Sequence, residues 1–306
     1  MAKDEWKFGL VEEMNLERFE KYLSDSRGAS DVTIQAYVRD VKYFEVYLKN
    51  KDIDGAEQAK SSDIAAYLMD LKESGKSNST INRKLAAIRA IYKFFISEKI
   101  VDTNPTTDLK ASKIQRRHIE YLTVEEVEKI LEMPDETLKG KRDKAILEVM
   151  YATGVRVNEI VAADVEDVNL RIGFFTCKGA IGKARIVPLG MMARRALEDY
   201  LDDARDMLVK NNTGEKALFV NFTGGRMTRQ GLWKILKNYS EKANLGDRFT
   251  PHILRNSFAV HMVQNGADLR SLQELLGHED VTATQIYMYV TKNRIKDVYD
   301  KTHPRA

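Results

Sequence analysis

Apolar residues recur at three- and four-residue spacing through most of this chain, and this helical period constrains the fold more than any other feature of the sequence. Only 5 prolines and 17 glycines interrupt its 306 residues. The pattern predicts a mainly α-helical protein. The helices expected before residue 100 are Glu12 to Ser24, Asp31 to Lys49, Ser62 to Lys72 and Ser79 to Glu98.

The length predicts two domains, because a typical domain has about 150 residues. A hydrophobic content of 43% is sufficient for two cores. The composition changes after Asn104-Pro105, where a basic stretch with few apolar residues is typical of an extended linker. We therefore predict a helical domain over residues 10–107, a basic linker over 108–118 and a second domain over 119–306.

The second domain is predicted to be helical with one small β-hairpin. Thr123-Val-Glu-Glu126 has the pattern of a capping box and begins a helix that ends near Met133. β-Branched and aromatic residues in Arg171–Cys177 and Ala184–Leu189 predict two strands joined by a glycine-containing turn. Further helices are expected at Lys141–Tyr151, Met191–Leu208, Arg229–Ala243, His252–Asn265 and Arg294–Asp300.

The composition excludes several classes of protein. Cys177 is the single cysteine, which rules out a disulfide framework or a site of several thiolates and suits a reducing, cytoplasmic compartment. The sequence contains no run of 18 apolar residues, so it predicts no membrane span, and the N-terminus does not resemble a secretion signal. With 49 Lys and Arg against 46 Asp and Glu, the net charge of +3 permits a nucleic-acid partner without arguing for one.

The fourth predicted helix is locally basic and leads into the basic linker. Two interpretations fit this pattern: a solvated helix face, or a surface that contacts DNA phosphates. The residues assigned to the second interpretation are Arg83, Lys84, Arg89, Lys93, Lys113, Arg116 and Arg117. Composition alone does not choose between the two.

Chemistry-bearing residues are concentrated in the second domain. His252 and Arg255 are three residues apart, so a helix places both on one face, where they can grip the same anion. Such a pair alone is more often structural, with a half-exposed histidine and an ion-paired arginine, than catalytic. Arg156 follows a glycine turn at the start of a helix, and His278 follows Gly277 at the end of another.

Four segments resemble the tyrosine recombinases of the phage-integrase family, most closely its short Xer-type members. They are ATGVRVNEI, KGAIGKARIVPL, HILRNSFAVHM and ELLGHEDVTATQIY, in this order along the chain. The resemblance implies a helical SAM-like core-binding domain and a catalytic domain that together clamp double-stranded DNA. It also implies site-specific strand cleavage and rejoining through a 3′-phosphotyrosine.

The resemblance assigns a role to each catalytic residue. Arg156 and Arg255 would clamp the scissile phosphate, since guanidinium groups offer a planar fork of donors to phosphate. His252 and His278 would add donors, Tyr287 would be the nucleophile in a cationic pocket that favours phenolate, and Lys178 would protonate the leaving 5′ oxygen. Glu159 would orient Arg156 from behind. Neither a metal nor another cofactor is expected.

Some assignments have rivals within the sequence. The hairpin turn is two residues longer than the usual Xer spacing, so Lys183 competes with Lys178 for the role of general acid; otherwise it would contact the DNA backbone. Tyr289 is a second phenol close to Tyr287, although the family spacing favours Tyr287. Arg229, at the start of a helix, is a further candidate DNA contact.

The resemblance also implies an assembly. Four protomers are expected on two DNA sites, with the tail from Thr291 to Ala306 docked on a neighbouring protomer, and a related second recombinase or a DNA translocase as a further partner. Asn256 stands where a histidine commonly follows the second arginine, and Tyr289 where a histidine often lies two residues beyond the nucleophile. With the longer hairpin turn, these departures resemble a divergent member of the family and suggest a mobile element. The alternatives are a catalytically silent DNA-binding regulator and a type IB topoisomerase-like relaxing enzyme.

Overall fold

The computed structural model describes residues 10–112, 119–179, 184–210, 212, 214–278 and 283–287. The chain divides into two compact units, residues 1–116 and 117–306. This division falls inside the predicted linker. No helix within the described residues is long and apolar enough to cross a membrane. The predicted helix at Arg294–Asp300 and the tail lie outside the described residues.

In the described part of the first unit, four α-helices pack around an apolar core. Ser30 and Ser77 begin two of them, because each hydroxyl accepts a hydrogen bond from a backbone amide of the first turn. The helices α2 and α4 pack together through buried residues such as Phe44 and Ile88. The helices are α1 (Leu10–Arg27), α2 (Asp31–Lys49), α3 (Ser61–Glu73) and α4 (Asn78–Ser97).

The described part of the second unit is helical around a small sheet. The predicted capping box at its first helix is confirmed, since Thr123 and Glu126 each bind the other's backbone amide. Its helices are α5 (Val124–Leu131), α6 (Leu138–Thr153), α7 (Val157–Ala162), α8 (Met191–Tyr200), α9 (Asp206–Val209), α10 (Arg229–Lys242), α11 (Pro251–Gln264) and α12 (Leu269–Leu276). A wider helical turn, Leu201–Arg205, joins α8 to α9, so the predicted helix over Met191–Leu208 is continuous but not uniform.

The sheet has three antiparallel strands in the order β1 (Val168–Asn169), β2 (Phe174–Lys178) and β3 (Ala184–Pro188). The hairpin of β2 and β3 pairs Cys177 with Arg185. Phe175, Cys177 and Val187 of these two strands are buried in the core. Arg185 lies on β3, an edge strand of this sheet, and its side chain contacts the end of the helix Leu269–Leu276.

Candidate active site

The C-terminal end of α12 collects three arginine side chains from three different elements. Arg185 of β3 donates from Nε to the carbonyl of Leu275 at 2.7 Å. Arg255 of α11 donates to the carbonyl of Leu276 at 2.6 Å, and Arg156, which caps α7, donates to the carbonyl of Gly277 at 2.7 Å. The last carbonyls of a helix lack partners within the helix and carry its negative dipole end, so they attract cations. Consecutive carbonyls thus hold the guanidinium groups together.

Two glycines allow this close packing. Gly277 ends α12 in the left-handed conformation, at φ 61°, and a Cβ there would approach the guanidinium of Arg185 to 3.0 Å. Gly154 ends α6 at φ 59°, and its carbonyl accepts a hydrogen bond from Arg255. A Cβ at Gly154 would lie 2.4 Å from the Phe258 ring. Both turns therefore require glycine for conformation and for space.

Glu159 connects two of the arginines. Its carboxylate accepts two hydrogen bonds from Arg185, one of them at 3.0 Å, and one from the Arg156 side chain at 3.2 Å. It also accepts from the Arg156 backbone amide at 2.6 Å. Burial opposes ionisation of Glu159, but the hydrogen bonds from Arg185 and the Arg156 amide hold its pKa below the usual range. The structure thus brings Glu159 into contact with Arg156.

His278 lies against Arg255, which donates to its Nε2 at 3.0 Å, while Nδ1 is 2.9 Å from the hydroxyl of the buried Thr284. Burial, followed by the positive charges of Arg255, Arg156 and Arg185, lowers the pKa of His278 to about 4. Burial and the nearby charge of Arg156 also lower the pKa of Arg255, to about 10. The described cluster of Arg156, Arg185, Arg255 and His278, which we call the pocket, is therefore rich in positive charge.

Tyr287 lies beside this pocket but is 3% exposed. Its ring packs in a small cluster with Phe258, Leu272 and Leu276. Its hydroxyl donates to Oδ1 of Asn256 at 3.1 Å. Burial raises the pKa of Tyr287 above the usual phenol value, although Arg255 and Arg156 oppose the rise. The expectation of a pocket that favours phenolate does not hold in this arrangement, because the loss of hydration outweighs the two charges.

Lys178 ends β2 and faces carboxylates. Its ammonium is 2.8 Å from Asp167, 3.5 Å from Asp164 and 3.9 Å from Glu166. The hydrogen bond to Asp167 raises the pKa of Lys178 above its usual value. Its side chain remains half exposed. Its rival Lys183 lies outside the described residues, as does Tyr289.

His252 is exposed in the first turn of α11, one helical turn before the buried Arg255. Thr250 caps that helix and Pro251 occupies its first position, so the sequence Thr-Pro-His fixes where His252 emerges. The two residues share a helix face as predicted. Arg255 lies inside the pocket, while His252 faces solvent.

The predicted DNA-contacting residues of α4 differ in their burial and in their hydrogen-bond and ion-pair partners. Lys84 is buried, and its ammonium binds the buried carboxylate of Asp40 at 3.0 Å. This corrects its assignment as a DNA contact, because a charge in that position serves to neutralise Asp40. Arg83 also pairs with Asp40 but is partly exposed.

The start of the predicted linker packs on α4 within the first unit. Arg89 donates to the carbonyl of Leu109, and Asn82 exchanges two hydrogen bonds with the backbone of Ser112, at 2.9 and 2.8 Å. Arg89 therefore helps to fix residues 109–112, and its role as a DNA contact stays a prediction. Lys93 and Arg229 are exposed. The other three predicted contacts of this basic region, Lys113, Arg116 and Arg117, lie outside the described residues.

Sequence reasoning missed three residues of the site: Arg185, Asn256 and Thr284. Arg185 lies inside one of the recognised segments, and its place in a strand opposite Cys177 was a signal that it faces inward. Asn256 was noticed only as a departure from a pattern. Among the described residues, no group of three or more His, Cys, Asp or Glu side chains is arranged to hold a metal ion.

Comparison with known proteins agrees with the two units. The phage integrase family matches residues 120–294, and the phage integrase N-terminal SAM-like domain matches residues 16–99. The tyrosine recombinase XerD of Oceanobacillus iheyensis is 44% identical over 295 residues, which cover 96% of this chain and 99% of that protein. The tyrosine recombinase XerD of Halalkalibacterium halodurans is 42% identical over 298 residues, which cover 95% of this chain and 98% of that protein.

Solved structures agree with these relatives. The XerH site-specific recombinase, in its post-cleavage complex with a palindromic difH substrate, has a TM-score of 0.73 and 25% identity, over 92% of this chain and 83% of that one. The XerA recombinase has a TM-score of 0.51 and 26% identity, over 96% and 100%. The matched families, the near full-length identity and the shared fold show that this chain belongs to the phage integrase family, among the tyrosine site-specific recombinases.

Proposed function

We propose that this recombinase cleaves and rejoins double-stranded DNA at the pocket around the end of α12, with Tyr287 as the nucleophile. The observation that carries the proposal is the convergence of Arg156, Arg185 and Arg255 on three consecutive carbonyls next to His278. Such a concentration of fixed positive charge, beside a buried phenol, suits phosphoryl transfer better than it suits a structural role.

In the proposed reaction, the scissile phosphate lies against Arg156 and Arg255. Both guanidinium groups are held by carbonyls, so their remaining N–H groups are oriented before the anion arrives. Glu159 binds the side chain and the backbone amide of Arg156, and Arg185 binds Glu159, so the two residues hold Arg156 in place. His252 and His278 supply further donors to the non-bridging oxygens as negative charge develops on them.

The covalent step transfers the phosphoryl group to the protein. The Tyr287 oxygen forms a bond to phosphorus as its proton passes to water, and the bond from phosphorus to the 5′ oxygen breaks. Lys178 donates a proton to that 5′ oxygen, which leaves as a free hydroxyl. The resulting 3′-phosphotyrosine conserves the energy of the diester, so a second strand can attack it without ATP.

Double-stranded DNA is the proposed substrate, with contacts from Arg83, Lys93 and Arg229 and from the basic residues Lys113, Arg116, Arg117 and Lys183. The proposed assembly is a tetramer on two DNA sites in the cytoplasm, in which residues 291–306 dock on a neighbouring protomer. A related second recombinase or a DNA translocase is a further proposed partner. The XerH complex with difH DNA supports the choice of DNA as the substrate.

The proposal is tested with a nicked suicide substrate, which traps the covalent intermediate. The wild-type protein is expected to form a DNA adduct that resists denaturant, and Tyr287→Phe is expected to bind DNA without forming one. Tyr289→Phe is the matched control and should retain the adduct. An adduct that survives in Tyr287→Phe and disappears in Tyr289→Phe would transfer the role to Tyr289.

A further inference from the structure

The hydroxyl of Tyr287 is bound by a residue that the reaction described above does not use. Asn256 accepts the phenol proton on Oδ1 at 3.1 Å, and its own Nδ2 donates to the backbone carbonyl of Glu120 at 3.1 Å. Asn256 is 5% exposed, and Tyr287 is 3% exposed. The amide is therefore fixed at one end by the backbone and presents its oxygen to the phenol at the other.

This contact keeps the proton on the phenol. An amide oxygen is a neutral acceptor with negligible basicity, so it cannot remove the proton, and its hydrogen bond favours the neutral hydroxyl. Arg255 and Arg156 attract phenolate from nearby, yet burial keeps the pKa of Tyr287 raised. A phosphate cannot reach an oxygen that is covered and hydrogen-bonded in this way, so the side chain has to leave Asn256 before it attacks.

The segment that anchors Asn256 is also held independently of Tyr287. Ser257, the next residue of α11, accepts a hydrogen bond from the amide of Leu122 at 2.8 Å and donates to the carbonyl of Ile253 at 2.8 Å. Adjacent residues thus fasten residues 120–122 to α11, and only Asn256 reaches the phenol. Ser257 is a matched control for the effect of loosening that segment.

We propose that Asn256 is a positioning residue that stores Tyr287 as a covered, protonated phenol and sets the fraction of bound protomers in which the nucleophile is released. This inference rests on the proposed function only in taking Tyr287 as the nucleophile. Its consequence is a restraint on cleavage: loss of the amide acceptor should accelerate the covalent step, whereas loss of an ordinary catalytic residue slows it.

The first experiment measures release of the phenol without DNA. N-acetylimidazole acetylates accessible tyrosine hydroxyls, and mass spectrometry of the peptide that contains Tyr287 quantifies its modification. Asn256→Leu, which keeps the branched shape but offers no acceptor, is expected to raise the acetylation rate of Tyr287 several-fold, and the smaller Asn256→Ala is expected to do the same. Ser257→Ala should leave the rate at the wild-type value while lowering stability.

The second experiment measures the rate of adduct formation with saturating nicked DNA in a single turnover. Loss of one neutral hydrogen bond predicts an increase of about fivefold in Asn256→Leu. Ser257→Ala should match the wild type. An unchanged or slower rate in both Asn256 variants, with their folding verified by circular dichroism, would overturn the proposal.

The two readouts separate this inference from the proposed function. If Tyr287→Phe still forms the adduct, the assignment of the nucleophile fails, but faster acetylation of Tyr287 in Asn256→Leu would still establish that Asn256 covers the phenol. If Tyr287→Phe abolishes the adduct and acetylation is equal in all variants, the nucleophile stands and the storage role of Asn256 is refuted.

Discussion

Arg255 donates a hydrogen bond to Nε2 of His278 at 3.0 Å, and this contact determines the protonation of the imidazole. A guanidinium has no acceptor, so Nε2 must carry the lone pair. The proton of the neutral ring is then on Nδ1, which donates to the hydroxyl of Thr284. In the free protein His278 is neutral, so it can donate to phosphate from Nε2 only after Arg255 has moved away and that nitrogen has bound a proton.

The neutral state of His278 predicts a pH dependence of stability. Its pKa in the folded protein is about 4, below the value of about 6.5 in an unfolded chain. As the pH falls from 6.5 toward 4, the unfolded chain binds the proton first, so His278 lowers stability in this window and has no effect above it. Urea unfolding is expected to show that the free energy of unfolding falls more between pH 7.5 and pH 5 in the wild type than in His278→Gln. Equal losses would contradict the assignment.

The positive charge of Arg185 alone is not expected to be sufficient for cleavage. Arg185→Lys keeps a cation near Glu159 but loses the planar fork that binds both carboxylate oxygens and the Leu275 carbonyl. Because Arg156 and α12 lose their support, cleavage should fall by about tenfold or more with little change in DNA affinity.

Arg205→Lys is the matched control for Arg185→Lys. Arg205 also binds backbone carbonyls within the second unit, those of Glu215 and Ala217, but does not touch the site. Its substitution should lower stability and leave the rate of cleavage per bound protein unchanged. Equal losses of cleavage in both variants would mean that Arg185 acts only through general stability.

Lys178 and Lys183 are distinguished by a substrate whose bridging 5′ oxygen is replaced by sulfur. A thiolate leaves without a proton, so this substrate is expected to restore cleavage to Lys178→Ala. Lys183→Ala should weaken DNA binding with a shallower salt dependence and cleave both substrates alike. Rescue of Lys183→Ala but not of Lys178→Ala would exchange the two roles.

Lys84 and Lys93 lie on the same helix, but their substitution by alanine is expected to affect different properties, stability for Lys84 and DNA affinity for Lys93. Lys84→Ala removes an ammonium from the buried Asp40 and should destabilise the protein by about 1–3 kcal/mol, as measured by urea unfolding. Lys93→Ala should leave stability unchanged and weaken DNA binding, with a smaller salt slope. A loss of DNA affinity in Lys84→Ala without destabilisation would restore it as a phosphate contact.

The sequence was sufficient for local structure and insufficient for contacts between distant residues. The capping box at Thr123, the helix start at Asp31 and the buried Cys177 follow from patterns within a few residues. The pairing of Lys84 with Asp40 joins two helices, and no periodicity distinguishes a basic residue that faces Asp40 from one that faces solvent. The same limit applied to Asn256, whose partners Tyr287 and Glu120 are far from it in sequence.

The convergence of arginines on α12 links the chemistry of the site to a folding equilibrium. An isolated helix of 8 residues does not persist in water, so Leu269–Leu276 is ordered by what it docks against. When it docks, Leu272 and Leu276 are buried, and its last carbonyls align the guanidinium groups. If it undocks, all three arginines lose an anchor at once. The docked and undocked states of α12 therefore differ in all three arginine contacts at the same time.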